Sequence, residues 1–409
     1  MRVTIQPAQL SGTVKAIASK SAAHRLLIAA ALADRPTEIF CGDLSQDIEA
    51  TVRALQGLGS RITYDAGTKI FHVVPLARPV TLSCTIDVGE SGSTLRFLLP
   101  VICALGIEAH ILMHGRLPDR PLSPLWEELE RHGCSLERLE DGSVLTRGEL
   151  RGGEFCIAAN VSSQFISGLL YAMAVLEEPS AIRLKETTES EGYIHLTLDV
   201  LEKFGIRTSW QGEMLKIDAG QCLCSPGYAV AEGDWSNGAF WEAADVLSKG
   251  SVCCTGLDED SLQGDRAVRQ LKKQAAAGNA VMDVRNVPDL VPILAVLAAS
   301  AEGTTVFTHA DRLRFKESDR IRSTVKMLRS LGADAEETQD GLRIRGIGCS
   351  HRLRGGTVDG CGDHRIVMSA AVASIICEGP VVIEGAEAVC KSYPAFWEDF
   401  KKLGGKISI

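Results

Sequence analysis

The sequence contains no apolar run of the roughly 18 residues needed to cross a bilayer. Its first residues, MRVTIQPAQLSG, lack the basic-then-apolar pattern of a secretory signal. A cytoplasmic protein is therefore expected, with no membrane association. There are 13 cysteines but no C-x-x-C pair. Cys222 and Cys224, and the adjacent Cys253 and Cys254, have no histidine nearby at a zinc-like spacing. Reduced thiols are expected, and no metal. An excess of positive charge is also missing. The formal net charge of −9 argues against a surface that coats nucleic acid, yet leaves room for a local cationic cleft.

A chain of 409 residues is too long for one ordinary core, so two or more domains are predicted. The interior of the sequence shows how they divide. The stretch 17-IASKSAAHRLLIAAALADRPTEIF-40 has a polar head, an apolar run, a turn and a strand-like end. The pattern returns at 93–115, 162–186, 236–257, 289–310 and 363–386. Helices apolar all round must be buried on every side. A second pattern alternates with the first: 51–62, 125–137, 197–208, 325–335 and 396–407 each read as an amphipathic helix ending at Gly before a strand. The fourth copy, with 266-RAVRQLKKQAAAGNA-280, is the loosest. Six units of roughly 60 to 75 residues make up the chain. Three units per domain give two similar α/β domains.

The polar heads carry the chemical signal. Parallel buried helices would gather their N-termini, whose free N–H groups attract anions. Ser21, Ser93, Ser162 and Asp363 are predicted as N-caps on spacing alone. The basic residues are less easily explained. Lys20, Arg25, Arg96 and Arg365 all sit in or beside first helical turns, where the helix dipole disfavours a cation by about 0.3–1 kcal/mol. A local rule broken repeatedly without local gain is expected at functional sites. The simplest reading is an anion-binding cleft, in which phosphate or carboxylate oxygens meet helix dipoles and guanidinium forks. Arg116 and Arg120 in 115-GRLPDRPLSP-124, the charge-dense 311-DRLRFKESDRIR-322, and Lys391 in 390-CKSYP-394 fit the same reading.

At these residues the sequence resembles a known family. SKSAAHR (19–25), GESGSTLR (89–96), LPDRP (117–121), NVSSQF (160–165), VPDL (287–290), KESDR (316–320), DHR (363–365) and CKSYP (390–394) occur in the order found in 5-enolpyruvylshikimate-3-phosphate synthases. DHR alone is a weak signal; eight motifs in order are highly specific. The resemblance implies a two-domain inverse α/β barrel-like fold with six βαβαββ repeats, three per domain. One domain would comprise residues 1–19 with 231–409 and the other 20–230, with the active site in the interdomain cleft and hinges near 17–20 and 228–233. It also implies transfer of the enolpyruvyl group of phosphoenolpyruvate to the 5-hydroxyl of shikimate 3-phosphate. The products are 5-enolpyruvylshikimate 3-phosphate and phosphate, on the route to chorismate and aromatic amino acids. No cofactor is expected, no nucleic-acid partner, and a monomer.

The resemblance assigns residues as follows. Lys20, Ser21, Arg25, Ser162, Ser163, Gln164, Ser190, Tyr193, Asp289 and Lys316 would bind shikimate 3-phosphate. Lys20, Gly92, Arg120, Gln164, Arg320, Arg365 and Lys391 would bind phosphoenolpyruvate. Asp289 and Glu317 would handle protons, with Lys20 as an alternative shuttle. Glu90 and Gly362 stand where many or some members have Asn, and Arg312 where some place an Asn that touches shikimate 3-phosphate, so no role is carried to them. Three other readings stay open here. The sister transferase acting on UDP-N-acetylglucosamine typically has a Cys in the loop that here reads HGRLPDRPLSP, without one. An RNA 3′-terminal phosphate cyclase of related repeat architecture should be more basic. The third is a ligand-binding relative without activity.

Overall fold

The computed structural model describes residues 1–77, 83–158, 160–185, 189–348 and 350–409. Cys349, one of the expected thiols, lies outside them, as does Glu186 at the end of the third repeat. The chain forms two compact units, Lys20–Glu232 and Met1–Ser19 with Gly233–Ile409.

In the unit Lys20–Glu232 the helices are α1 (Lys20–Leu32), α2 (Gln46–Gly57), α3 (Gly92–Ala104), α4 (Leu125–Arg131), α5 (Ser163–Met173) and α6 (Glu191–Lys203). Helices α1, α3 and α5 are buried almost throughout. This follows from their composition, which offers no polar face to water. Helix α5 lies so close to α3 that a Cβ on Gly168 would sit 2.2 Å from the Arg96 carbonyl oxygen, so only glycine fits there. Helices α2 and α6 bury one stripe. The chain then turns at Gly59 (φ 106°) and Gly205 (φ 84°), in the left-handed region a side chain disfavours.

In this unit each repeat closes a four-stranded sheet by the same route. Ser83–Asp87 and Glu108–Leu112 run parallel on either side of α3, and the hairpin Cys134–Arg138/Val144–Gly148 adds antiparallel through its second strand. Glu154–Ala158, Ser180–Lys185, Thr208–Gln211 and Met214–Ile217 repeat the arrangement. The remaining sheet holds Thr37–Phe40 and the hairpin Arg61–Asp65/Ile70–Val74; its parallel edge strand, Tyr228–Val230, comes from the far end of the unit.

The other unit has α7 (Trp235–Leu247), α8 (Val268–Ala277), α9 (Val291–Ser300), α10 (Arg320–Ser330), α11 (His364–Ala373) and α12 (Phe396–Lys402). Here α9 and α11 are the fully buried helices. Val281–Asp283, Thr304–Thr308 and the hairpin Asp334–Glu337/Leu342–Arg345 form one sheet. In the second, Gly356–Asp359 and Val381–Glu384 are joined by the N-terminal strand Arg2–Gln6 and by Lys406–Ser408. The loosest repeat has two strands, Gly12–Lys15 parallel to Val252–Thr255. The α/β class and the repeated units agree with expectation. Among the described residues no sheet closes into a barrel: apolar helices lie inside each unit, and the strands alternate covered and open positions. The described cysteines are all free thiols, and no helix of the described residues is long and apolar enough to cross a membrane.

Two N-cap expectations need correction. Ser91, not Ser93, caps α3 by accepting from the Thr94 N–H. Ser21 lies inside the first turn of α1, which begins at Lys20. Ser162 and Asp363 cap α5 and α11 as expected.

Candidate active site

In the unit Lys20–Glu232 the first turns of α1, α3 and α5 meet through polar side chains. Arg25 is almost completely buried, at 2% exposure, and four of its five N–H groups are used by the protein. Its Nε donates to Thr197 Oγ1 at 2.8 Å, Nη1 to the Ser21 carbonyl at 2.8 Å, and Nη2 to Ser167 Oγ at 3.2 Å and the Tyr193 carbonyl at 2.9 Å. Burial, opposed by Tyr171 and Tyr193, pushes its pKa down to about 10, so it stays a cation at neutral pH. The guanidinium lies 4.9 Å from the centre of the Phe97 ring on α3.

Arg96, buried in α3, donates from Nη1 to Gln164 Oε1 at 3.0 Å and from Nη2 to the Pro121 carbonyl at 3.2 Å. Gln164 in turn donates to Ser93 Oγ at 2.9 Å. Arg120 lies over the start of α3: a Cβ on Gly92 would be 2.6 Å from its Nη1 and 2.7 Å from Arg96 Nη1. Gly92 is thus the residue that lets two guanidinium groups approach the helix N-terminus. Lys20 pairs with Asp47 at 2.8 Å. Ser190 precedes α6 in the left-handed conformation (φ 55°), and its carbonyl accepts the Tyr193 N–H.

The second cluster is in the other unit and centres on Arg320, 1% exposed in its side chain. Its Nη1 meets Asp289 Oδ1 at 2.7 Å, its Nε meets Asp363 Oδ2 at 2.8 Å, and its Nη2 donates to Glu317 Oε2. Arg365 approaches Asp289 Oδ2 at 3.2 Å, and Lys316 approaches Asp289 Oδ1 at 3.5 Å. Asp363 also accepts from Ser318 Oγ and from the Arg365 N–H, both at 3.0 Å. Lys391 donates to the Gly362 carbonyl at 2.9 Å. Burial alone would raise the Asp289 carboxyl. The charges of Arg365, Lys316 and Arg320 together outweigh that, against the opposing charge of Glu317, and hold it well below the usual carboxylate range. Burial would likewise lower Arg320, but Asp363, Glu317 and Asp289 raise it, so it remains charged.

The cations of the helix heads therefore have local partners. The expectation of a rule broken without local gain is corrected: Lys20 meets Asp47, Arg96 meets Gln164, and Arg365 meets Asp289. A buried charge needs such partners, and they come from residues distant in sequence. Lys20, Ser21, Arg25, Gly92, Arg120, Ser162, Ser163, Gln164, Ser190 and Tyr193 belong to the first unit; Asp289, Lys316, Glu317, Arg320, Arg365 and Lys391 belong to the second.

The family described as EPSP synthase (3-phosphoshikimate 1-carboxyvinyltransferase) matches residues 5–400. The chain belongs to the EPSP synthase family. It is an enolpyruvyl transferase of the shikimate pathway to aromatic amino acids. Similar curated proteins include the 3-phosphoshikimate 1-carboxyvinyltransferase of Clostridium novyi, 39% identical over 99% of this chain and 98% of the relative. That of Clostridium kluyveri is 38% identical with the same coverage. A solved EPSP synthase from Acinetobacter baumannii superposes with a TM-score of 0.81 at 25% identity, covering 100% of both chains.

Several residues that hold the cations in place were not assigned from sequence. Asp47, Ser167 and Thr197 carry no motif signal. Asp363, expected as a cap and as the first residue of the DHR motif, also accepts from the Arg320 side chain. Arg96 was singled out as a helix-head cation but given no role. Its hydrogen bond to Gln164 ties it to a residue that was.

Proposed function

We propose that the chain joins shikimate 3-phosphate and phosphoenolpyruvate by addition and elimination, with both residue clusters serving this one reaction. The 5-hydroxyl oxygen adds to C2 of phosphoenolpyruvate while C3 gains a proton. The tetrahedral intermediate then loses phosphate and the C3 proton. Arg25, Ser21, Ser162, Ser163, Gln164, Ser190, Tyr193 and Lys316 bind shikimate 3-phosphate. Gly92, Arg120, Arg320, Arg365 and Lys391 bind phosphoenolpyruvate, and Lys20 and Gln164 face both.

The observation that carries this reading is the set of cations around Asp289, with Arg320, Arg365 and Lys316 at 2.7, 3.2 and 3.5 Å from its carboxylate oxygens. Three cations hold its carboxylate ionised, and each is also a good partner for a phosphate or carboxylate oxygen. When the substrates' anionic groups claim Arg365, Lys316 and Arg320, the pKa of Asp289 rises. It then becomes a better acceptor for the hydroxyl proton. Glu317, beside Arg320, delivers a proton to C3 from its protonated form and later recovers it, while the hydroxyl proton taken by Asp289 leaves with phosphate. Holding the two reactants together accounts for roughly 7–11 kcal/mol of the barrier. The protein works in the cytoplasm as a monomer, and light scattering of the purified chain tests the latter.

Phosphate release with both substrates is the direct assay. Glu317→Gln should lower kcat on the order of 10²–10⁴-fold with shikimate 3-phosphate binding largely kept. Turnover within threefold of wild type would remove Glu317 from the proton transfers.

A further inference from the structure

Next to Arg25 in α1 stands His24, a residue the mechanism does not use. It is 1% exposed. Its Nδ1 lies 2.6 Å from Thr51 Oγ1 on α2. Thr51 Oγ1 lies 2.6 Å from Thr94 Oγ1 on α3, and Thr94 Oγ1 donates to Ser91 Oγ at 2.8 Å. Ser91 Oγ also accepts the Thr94 N–H at 3.3 Å, which makes it the cap of α3. These four residues are all buried and form one unbroken hydrogen-bonded chain. It runs from the middle of α1, through α2, to the residue before Gly92.

We infer that His24, Thr51, Thr94 and Ser91 are positioning residues that set the first turn of α3, and with it the anion site formed by Gly92, Arg96 and Arg120. Three features support this. First, the chain ends at the cap, so it acts on the backbone N–H groups that open α3 and not on the helix body. Second, the tolerance at that turn is small: a single Cβ at Gly92 would already crowd two guanidinium groups. A displacement of a few tenths of an ångström would change how an anion is gripped there. Third, His24 is suited to a neutral linking role. Burial, then Lys20 and Arg25, hold its pKa well below the usual range, so it joins the chain as an uncharged ring. The ring also stands nearly perpendicular to that of Phe97 on α3, with ring centres 6.4 Å apart. Arg25 makes a second connection, to the hydroxyl pair Ser167 and Thr197 on α5 and α6. Two consecutive residues of α1 thus reach different hydroxyl sets, and both also touch Phe97 of α3. The His24 branch governs the phosphoenolpyruvate side, and the Arg25 branch the shikimate 3-phosphate side. This rests on the assignment of phosphoenolpyruvate to Gly92 and Arg120.

The test compares Thr94→Val and Thr51→Val with Thr51→Ser, which keeps the hydroxyl. Each Val variant should raise KM for phosphoenolpyruvate about 10-fold, equivalent to about 1.4 kcal/mol and so to roughly one lost hydrogen bond. The dissociation constant for shikimate 3-phosphate should stay within about twofold, and Thr51→Ser should restore KM. A merely structural role would lower the melting temperature and leave this split absent. Equal effects on both substrates, no effect on either, or failure of Thr51→Ser to rescue would overturn the inference. Arg120→Ala, measured alongside, separates the two assumptions. If it leaves KM for phosphoenolpyruvate unchanged, the site assignment is wrong; if it raises KM while the Val variants do not, only the positioning role is. Should a Val variant not fold, Thr94→Ala against Thr94→Ser gives the same comparison, since only the latter keeps the hydroxyl.

Discussion

Replacing Arg320 by lysine keeps the charge and removes the fork. The guanidinium reaches Asp289, Asp363 and Glu317 from three different nitrogens, and the side chain is 1% exposed. A single ammonium on a flexible stem cannot span all three. At least two charge-assisted hydrogen bonds are lost, each worth about 1.5–3 kcal/mol. Asp289 keeps Lys316 and Arg365, and Asp363 keeps Ser318 and the Arg365 N–H, which offsets part of the loss. The lower end, about 3 kcal/mol, is the expected net cost. For a unit of this size that is a fall of about 6–12 °C in melting temperature. It should be read by differential scanning calorimetry on the whole chain, in the transition of the unit that contains Arg320. Because the same group is assigned to phosphoenolpyruvate, kcat/KM should fall about 100-fold or more in a phosphate-release assay. A variant that melts within about 2 °C of wild type with kcat/KM unchanged would refute both the energetic weight given to the fork and its role at the site.

Three further outcomes follow from the geometry. Gly92→Ala should raise KM for phosphoenolpyruvate by about 10-fold, because one added methyl must displace the ends of Arg120 and Arg96; unchanged KM would mean those side chains do not meet the substrate. Arg25→Ala should weaken shikimate 3-phosphate binding about 10- to 100-fold and more than it weakens phosphoenolpyruvate binding; the reverse order in calorimetric titration would overturn the assignment. Asp289 is held below its ordinary value near 3.9, so its ionised form stabilises the fold above that pH, and the contribution is lost as pH falls through the lower folded value. The gap in melting temperature between wild type and Asp289→Asn should therefore narrow as pH drops below about 4, and a gap independent of pH would contradict the ion-pairing described.

Much of the architecture is visible in one dimension because its causes are local. The apolar runs of α1, α3 and α5 announce buried helices, since no face of them could meet water. Gly59, Gly205 and Gly332 mark where amphipathic helices end, because the next residue must enter the left-handed region. Ser162 and Asp363 precede their helices with side chains that can accept from the first turn. The motif residues are legible by resemblance, although their contacts are not.

What the linear chain leaves open are pairings across long sequence separations. That Tyr228–Val230 completes the sheet of Thr37–Phe40, or that Arg2–Gln6 joins the C-terminal repeat, depends on which edge is free once the other repeats have closed. The partners of the cations belong to the same class. Asp47 for Lys20, Gln164 for Arg96, and Asp289 and Asp363 for Arg320 and Arg365 are fixed by the need to compensate buried charge. Periodicity and capping act over three or four residues and can be read from the string of letters. Charge compensation acts over a few ångströms of space, and only the folded chain decides which residues are that close.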